Sequence, residues 1–197
     1  MKLSCLPVTF FSEIIEGRMS VFEWAQMGAS LGLDGVDISI LFVQGNSPEK
    51  LYEIRRQIEL IGMRIVMVTS YPDFTHPDPA RRKKELILEQ HVVETAALLG
   101  AEMVRVTSGQ AYPETSRQDG IAWAVEGLCK LQESTRGSGI TLVYENHSKP
   151  GAWAYTDFCE PPDIFLEIVR GTAAAGLGCR IAGTCAPPHQ RMAVGGG

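Results

Sequence analysis

The stretch Gly139-Ile-Thr-Leu-Val-Tyr-Glu-Asn-His-Ser-Lys-Pro-Gly151 begins as a strand and ends in a group of polar side chains. Its first half alternates and is rich in β-branched and aromatic residues, which is typical of a strand. If Leu142 and Tyr144 pack against helices, Glu145 points to the opposite face. His147 shares the parity of Glu145. Catalytic groups of parallel α/β enzymes lie at the carboxyl ends of strands, although a structural Glu that caps a helix or pairs with a cation is an open alternative.

Composition and charge limit the class of protein. The chain has 197 residues, of which 45% are hydrophobic and 21% charged, so it can form one domain with a buried core. Its net charge of −5 gives no electrostatic reason to expect nucleic acid or an anionic membrane surface as a partner. No segment is as long as a membrane span, and the N-terminal apolar run is too short for a signal peptide.

The cysteine pattern indicates the compartment. The five cysteines are widely spaced, odd in number and without a Cys-x-x-Cys pair: Cys5, Cys129, Cys159, Cys179 and Cys185. This pattern fits reduced thiols better than a disulfide framework or a zinc site. We therefore expect a soluble cytoplasmic protein.

The chain repeats one unit, a strand followed by a helix. The predicted strands cover residues 3–8, 34–40, 64–69, 102–107 and 140–145. The first long helix begins at Ser20-x-x-Glu23, which has capping-box spacing, and the second at Ser47-Pro48. The third predicted helix buries the stripe Leu88, Val92, Ala96 and Leu99. Such alternation implies a parallel sheet, either doubly wound or closed into a barrel.

Nucleotide-binding versions of this architecture are disfavoured. The loop after the first strand lacks the Gly-x-Gly-x-x-Gly dinucleotide turn, and the sequence has no Walker-type phosphate loop.

Further polar residues share the face of Glu145. Parity along the second and fourth strands points Asp37 and Arg105 inward, where a structural Asp37–Arg105 ion pair and a substrate-binding role are both open. Arg105 and Glu145 lie on neighbouring strands, which run ~5 Å apart, so they can share a site. The loops add Gln110 and Trp153, whose hydrogen-bonding and stacking groups suit a small polyhydroxylated ligand, although such residues are also common as loop anchors.

Several motifs carry a family resemblance. They are Asp73-Phe74-Thr75, Val104-Arg105-Val106-x-Ser108-Gly109-Gln110, Asp119-Gly120-Ile121, Val143-Tyr144-Glu145-Asn146-His147-x-x-x-Gly151-x-Trp153, and Pro161-x-Asp163-Ile164-Phe165-Leu166-Glu167-Ile168-Val169. Together they resemble the sugar phosphate isomerase/epimerase family of xylose isomerase-like (β/α)8 TIM barrels. The resemblance covers residues 1–178. We therefore expect about five βα units of an incomplete barrel over residues 1–178, and a separate tail over residues 179–197.

The resemblance implies a metal-dependent isomerase or epimerase. Such an enzyme acts on a sugar or sugar phosphate by proton transfer next to a carbonyl, through an enediolate. It implies a divalent ion (Mn²⁺, Mg²⁺, Co²⁺ or Zn²⁺) held by Glu, Asp, His and Glu at the ends of strands five to eight. Only the first ligand maps here, onto Glu145, which is also one of the family's two acid/base carboxylates. His147, Arg105, Gln110 and Trp153 are the expected substrate-binding residues.

The chain departs from the family pattern after Gly178. No acidic residue follows Glu167, and the glycines and prolines of residues 179–197 favour disorder. A truncation or a frameshift would explain this change, and His189 is disfavoured as a replacement ligand. We therefore expect weak metal binding, impaired activity and possible self-association through exposed sheet edges.

Two other functional classes stay open. The first is a non-catalytic or vestigial sugar-binding protein, which an assay with added metal would separate from an enzyme. The second is a nuclease like the apurinic-site endonucleases of the same superfamily. A nuclease would need a basic surface and several metal-binding histidines, so the acidic charge and the four histidines disfavour it.

Overall fold

The residues that the structure describes form a parallel sheet of six strands in chain order, from β1 to β6. The computed structural model describes residues 2–148 and 150–174, and the backbone of residues 180–182. The strands are β1 Ser4–Cys5, β2 Gly35–Ser39, β3 Ile65–Thr69, β4 Met103–Val106, β5 Thr141–Glu145 and β6 Arg180–Ala182. The predicted parallel order of the first five strands is confirmed, and the described part is a partial barrel.

Helices connect the strands. They are α1 Phe11–Ile15, α2 Val21–Ser30, α3 Pro48–Leu60, α4 Pro79–Leu98, α5 Arg117–Ser134 and α6 Pro162–Ala174, with 3-10 helices at Val8–Phe10 and Ile40–Phe42. The predicted capping box at the start of α2 is formed, and the Ser47 side chain caps α3, as its sequence indicates. Within the described ranges, no helix is both long and apolar enough to cross a bilayer.

Strand β6 differs from the sequence prediction. The predicted βα units end at residue 178, and no strand is predicted beyond that point. In the structure, Arg180–Ala182 pairs in parallel with residues 143–145 of β5. A strand of three residues is too short to show an alternating pattern in the sequence. Strand β6 is therefore recognised only from its pairing with the edge of β5. The other tail residues, which the sequence predicts to be disordered, lie outside the described residues, and so does His189.

The two faces of the sheet have different surroundings. Side chains of one parity pack against the helices and form the hydrophobic core, as the stacking of Tyr144 on Phe165 of α6 shows, with ring centroids 5.0 Å apart. Side chains of the other parity, among them Thr69, Arg105 and Glu145, line a cavity on the inner side. The predicted inward direction of Glu145 is therefore observed, and the polar groups of the interior collect at one end of the strands.

Candidate active site

A cavity of about 500 Å³ opens at the carboxyl ends of the strands. One wall is apolar and comes from the segment after β1, with Leu6, Val8 and Phe11. The polar lining residues come from β3, β4, β5 and the segments that follow them: Thr69, Tyr71, Arg105, Glu145 and His147. The structure thus brings Arg105, Glu145 and His147 together around one space, as strand parity predicts.

Arg105 and Glu145 form a buried ion pair. Arg105 Nε lies 2.8 Å from Glu145 Oε2, and the two side chains are only 4% and 11% exposed. The Arg105 guanidinium also donates from Nη1 to the Ser70 carbonyl oxygen at 3.1 Å and lies 4.5 Å from the Tyr71 ring centroid. A buried pair is tolerated only when further hydrogen bonds satisfy its charges, and Ser70 supplies one of them.

The alternative ion pair between Asp37 and Arg105 does not form. Asp37 accepts a hydrogen bond from Ser4 Oγ at 3.2 Å, and its Oδ1 has no hydrogen-bond partner among the described residues. β2 and β4 are separated by β3, so Asp37 lies about two strand spacings, ~10 Å, from β4. Glu145 is on the adjacent strand and pairs with Arg105 instead.

Burial shifts the pKa of two site residues, Glu145 and His147. It raises the pKa of Glu145, although the positive charge of Arg105 opposes the change. Burial also lowers the pKa of His147, and the charge of Arg105 lowers it further, so His147 is a neutral imidazole near pH 7. The His147 ring lies edge-on to Tyr71, and its buried Nδ1 has no hydrogen-bond partner in the part of the chain that is described.

Gln110 and Trp153, which the sequence predicts as substrate-binding residues, are not among the residues that line this cavity. The Gln110 amide nitrogen donates to Asp73 Oδ2 and its Oε1 accepts from the backbone of Ala154, at 2.9 and 2.8 Å. Gln110 therefore ties together the loops that follow β3, β4 and β5. Trp153 is half-buried, its backbone N–H bonds to the Pro150 carbonyl, and it is not among the described lining residues. Gln110 is therefore a loop anchor in this structure. The substrate-binding role expected for Gln110 and Trp153 stays a prediction.

The sequence pattern does not reveal Glu89, a buried polar residue next to the site. The pattern assigns Leu88 to the buried stripe of α4, whereas Leu88 is 47% exposed and Glu89 is 4% exposed. The buried residues of α4 are Glu89, Val92, Val93 and Ala96. A carboxylate is rarely counted as a core residue, although Val93 shifts the centre of the stripe toward position 89.

The described residues do not by themselves fit a metal site. No group of three or more His, Cys, Asp or Glu side chains that could hold an ion occurs among them. At the cavity, Glu145 and the unpartnered Nδ1 of His147 offer two ligands, and Arg105 already neutralises Glu145. Divalent ions such as Mg²⁺ and Mn²⁺ prefer about six ligands, so this part of the cavity supplies too few.

Comparisons with known proteins agree with this architecture. The structure resembles 3-keto-D-glucoside 4-epimerase from E. coli, with a TM-score of 0.70 and 17% identity over 93% of this chain and 68% of that chain. It also resembles D-psicose 3-epimerase from Clostridium cellulolyticum H10, with a TM-score of 0.67 and 15% identity over 85% and 60% of the two chains. The IolI protein, solved with a zinc atom, gives a TM-score of 0.65 and 15% identity over 88% and 59%.

These structural similarities show the fold, and a match to a family sequence profile shows the family. The chain spans about 60% of the length of D-psicose 3-epimerase and of IolI. A comparison with curated protein sequences gives no match. The sequence profile of the xylose isomerase-like TIM barrels matches residues 25–178, which is more than half of the chain. The chain belongs to the xylose isomerase-like TIM barrel family.

Proposed function

We propose that this protein is of the isomerase or epimerase type and acts on a sugar or sugar phosphate by moving a proton on the carbon next to a carbonyl. One observation carries the proposal: the buried carboxyl of Glu145 faces an interior cavity at the carboxyl end of β5 and is paired with Arg105. Family membership and the epimerases among the similar structures support the same reaction class.

Glu145 and Arg105 have complementary roles in this reaction. Glu145 is the base that removes the proton, and burial raises its pKa, which makes the carboxylate a stronger base. Arg105 has five N–H donors, so it can keep its bond to Glu145 and donate to the substrate oxygen on which negative charge develops. The rings of Tyr71 and His147 form a wall for the C–H face of the sugar.

We also propose that this chain binds a divalent metal ion more weakly than the family resemblance implies. IolI was solved with zinc, and the resemblance implies Mn²⁺, Mg²⁺, Co²⁺ or Zn²⁺. The described lining residues include a single carboxylate, Glu145, where the family mechanism uses two. We therefore expect the 197-residue chain to carry out proton removal without efficient conversion of one sugar into another.

Solvent exchange of substrate hydrogen tests the proposed function. The chain is incubated in D₂O and Mn²⁺ with a panel of ketoses and ketose phosphates, and NMR follows deuterium on the carbons next to the carbonyl. We expect incorporation into at least one substrate, loss of it in Glu145→Gln, and no effect of Glu102→Gln, which removes an exposed carboxylate. Absence of exchange with every substrate, or exchange that survives Glu145→Gln, would contradict the proposal.

Sugar binding without turnover is the second candidate. The ion pair with Arg105 engages the one carboxylate of the described cavity, and this observation favours a binding role. Ligand-detected NMR with the same sugar panel separates the two functions. Binding that is lost in Arg105→Met, together with no deuterium exchange, would favour the binding protein.

A further inference from the structure

Behind the ion pair lies a buried carboxyl group, Glu89, that the proposed reaction does not use. Glu89 belongs to α4, is 4% exposed, and points its Oε2 to within 2.6 Å of Ser70 Oγ. Ser70 directly follows β3 and is fully buried. The contact therefore joins a helix to the strand end that carries the site.

Ser70 contacts both the backbone and the guanidinium of Arg105. The Ser70 backbone N–H donates to the Arg105 carbonyl oxygen at 2.9 Å, and the Ser70 carbonyl accepts from Arg105 Nη1 at 3.1 Å. Ser70 Oγ also lies 3.3 Å from the Arg105 carbonyl oxygen. The next residue, Tyr71, places its ring under the guanidinium. Residues 70 and 71 thus form a cradle for Arg105, and Glu89 fixes this cradle from the side of α4.

We propose that Glu89 is a positioning residue that acts through Ser70 to hold the Arg105 guanidinium against Glu145. The catalytic importance of this role rests on the proposed function. The contacts from Glu89 through Ser70 to Arg105 are observed and do not depend on it. An apolar residue at position 89 would continue the stripe of Val92, Val93 and Ala96 without the cost of burying a carboxyl. The polar group is therefore explained by its contact with Ser70 and not by packing.

The protonation of Glu89 is consistent with this arrangement. Burial raises the pKa of Glu89 to about 8, so near pH 7 the group is mostly a neutral carboxylic acid. A neutral acid can donate its proton to Ser70 Oγ, and the serine hydroxyl can then donate to the Arg105 carbonyl oxygen. The link from α4 to β4 then contains no unpaired charge.

Chemical modification of Arg105 tests the proposal without any need for enzyme activity. Phenylglyoxal reacts with arginine side chains, and peptide mass spectrometry measures the rate at each site. Arg82, which stacks on Trp123 at a different surface, is the internal reference. The variants are Glu89→Leu and Ser70→Ala, which break the link, and Glu89→Gln, which keeps a hydrogen-bonding group. Thr172→Val, which removes a buried hydroxyl in α6, is the matched control.

We expect modification of Arg105 about tenfold faster in Glu89→Leu and in Ser70→Ala, because each loses a hydrogen bond that orders the cradle. The rate at Arg82 should stay constant, and Glu89→Gln and Thr172→Val should stay within about twofold of wild type. An unchanged Arg105 rate in either Glu89→Leu or Ser70→Ala, or an equal increase in Thr172→Val, overturns the proposal. Ser70→Ala decides alone if Glu89→Leu does not fold. Failure of the deuterium exchange alone would refute the reaction and leave the Arg105 rates as predicted.

Discussion

The Arg105–Glu145 pair shows at the scale of single residues how a buried charge is accommodated. Both side chains are removed from water, and each would be costly to bury alone. Arg105 gains the Ser70 carbonyl and the Tyr71 ring as further partners. The charges of this pair are balanced only by these neighbouring groups. Loss of one member should therefore lower the free energy of unfolding more than loss of a surface ion pair does.

Arg105→Met tests this cost. The variant leaves the Glu145 carboxyl buried without its cation, so we expect the free energy of unfolding near pH 7 to fall by about 3 kcal/mol. The control is Arg64→Met, which breaks the exposed pair with Glu102 and should cost less than about 1 kcal/mol. Urea denaturation measures both values. Equal losses in the two variants would show that burial of the Arg105–Glu145 pair has no special cost.

Glu89 should give the protein a pH-dependent stability. Its pKa is raised from 4.5 to about 8 in the folded state, so between these values the folded chain holds a proton that the unfolded chain releases. Stability should therefore decrease as pH rises from about 5 to 8. Thermal melting of Glu89→Gln should show a smaller decrease over the same range. Parallel pH profiles for the two proteins would show that Glu89 does not titrate there.

Strand residues of the site could be predicted from the sequence, and loop and helix residues could not. Alternation along β4 and β5 places Arg105 and Glu145 inward, because a strand allows only two side-chain directions. Gln110 and Trp153 lie in loops, where no periodicity fixes the direction of a side chain, and neither lines the cavity. Glu89 was missed because its burial depends on its contact with Ser70.

At the scale of elements, close helix packing holds the loop after β3 in place. Phe74, in this loop, is 1% exposed and packs against Gly127 of α5. A Cβ added at Gly127 would lie 2.5 Å from the Phe74 ring, so only glycine allows this approach. Helix starts such as the Ser20 cap were predictable because side-chain capping is local. β6 was not, because its pairing depends on β5.

Gly127→Ala tests this packing. Alanine should favour the helix by about 1 kcal/mol, but overpacking against Phe74 costs about 1–3 kcal/mol. We expect a net loss of about 1 kcal/mol or more in the free energy of unfolding. Gln118→Ala, at an exposed position of the same helix, should be close to neutral. A stabilised Gly127→Ala would mean that the contact with Phe74 relaxes at no cost.

At the scale of the whole molecule, β1 is one edge of the sheet that the described residues form. It has two residues, both exposed, and among the described strands it pairs with β2 alone. Leu3 directly precedes it and is 49% exposed, and Val8, in the 3-10 helix that follows, is 71% exposed. Unpaired backbone groups next to apolar side chains promote contact between chains.

We therefore expect the chain to self-associate at micromolar to millimolar concentration. Sedimentation velocity should show an average mass that rises with concentration, and Leu3→Lys should reduce the increase because it places a charge at the edge. Leu60→Lys, on α3 at a side chain that is 78% exposed, is the matched control and should have no effect. A sharp monomeric boundary at all concentrations, with cooperative melting, would contradict this expectation.

The central claim is that Glu145 is the functional carboxylate of a cavity whose described residues supply too few ligands to hold a metal tightly. Calorimetric titration of the 197-residue chain with Mn²⁺ tests this claim most directly, with Glu145→Gln as the comparison. We predict weak binding, in the millimolar range, that disappears in Glu145→Gln. Tight one-to-one binding, or weak binding that Glu145→Gln leaves unchanged, would contradict the claim.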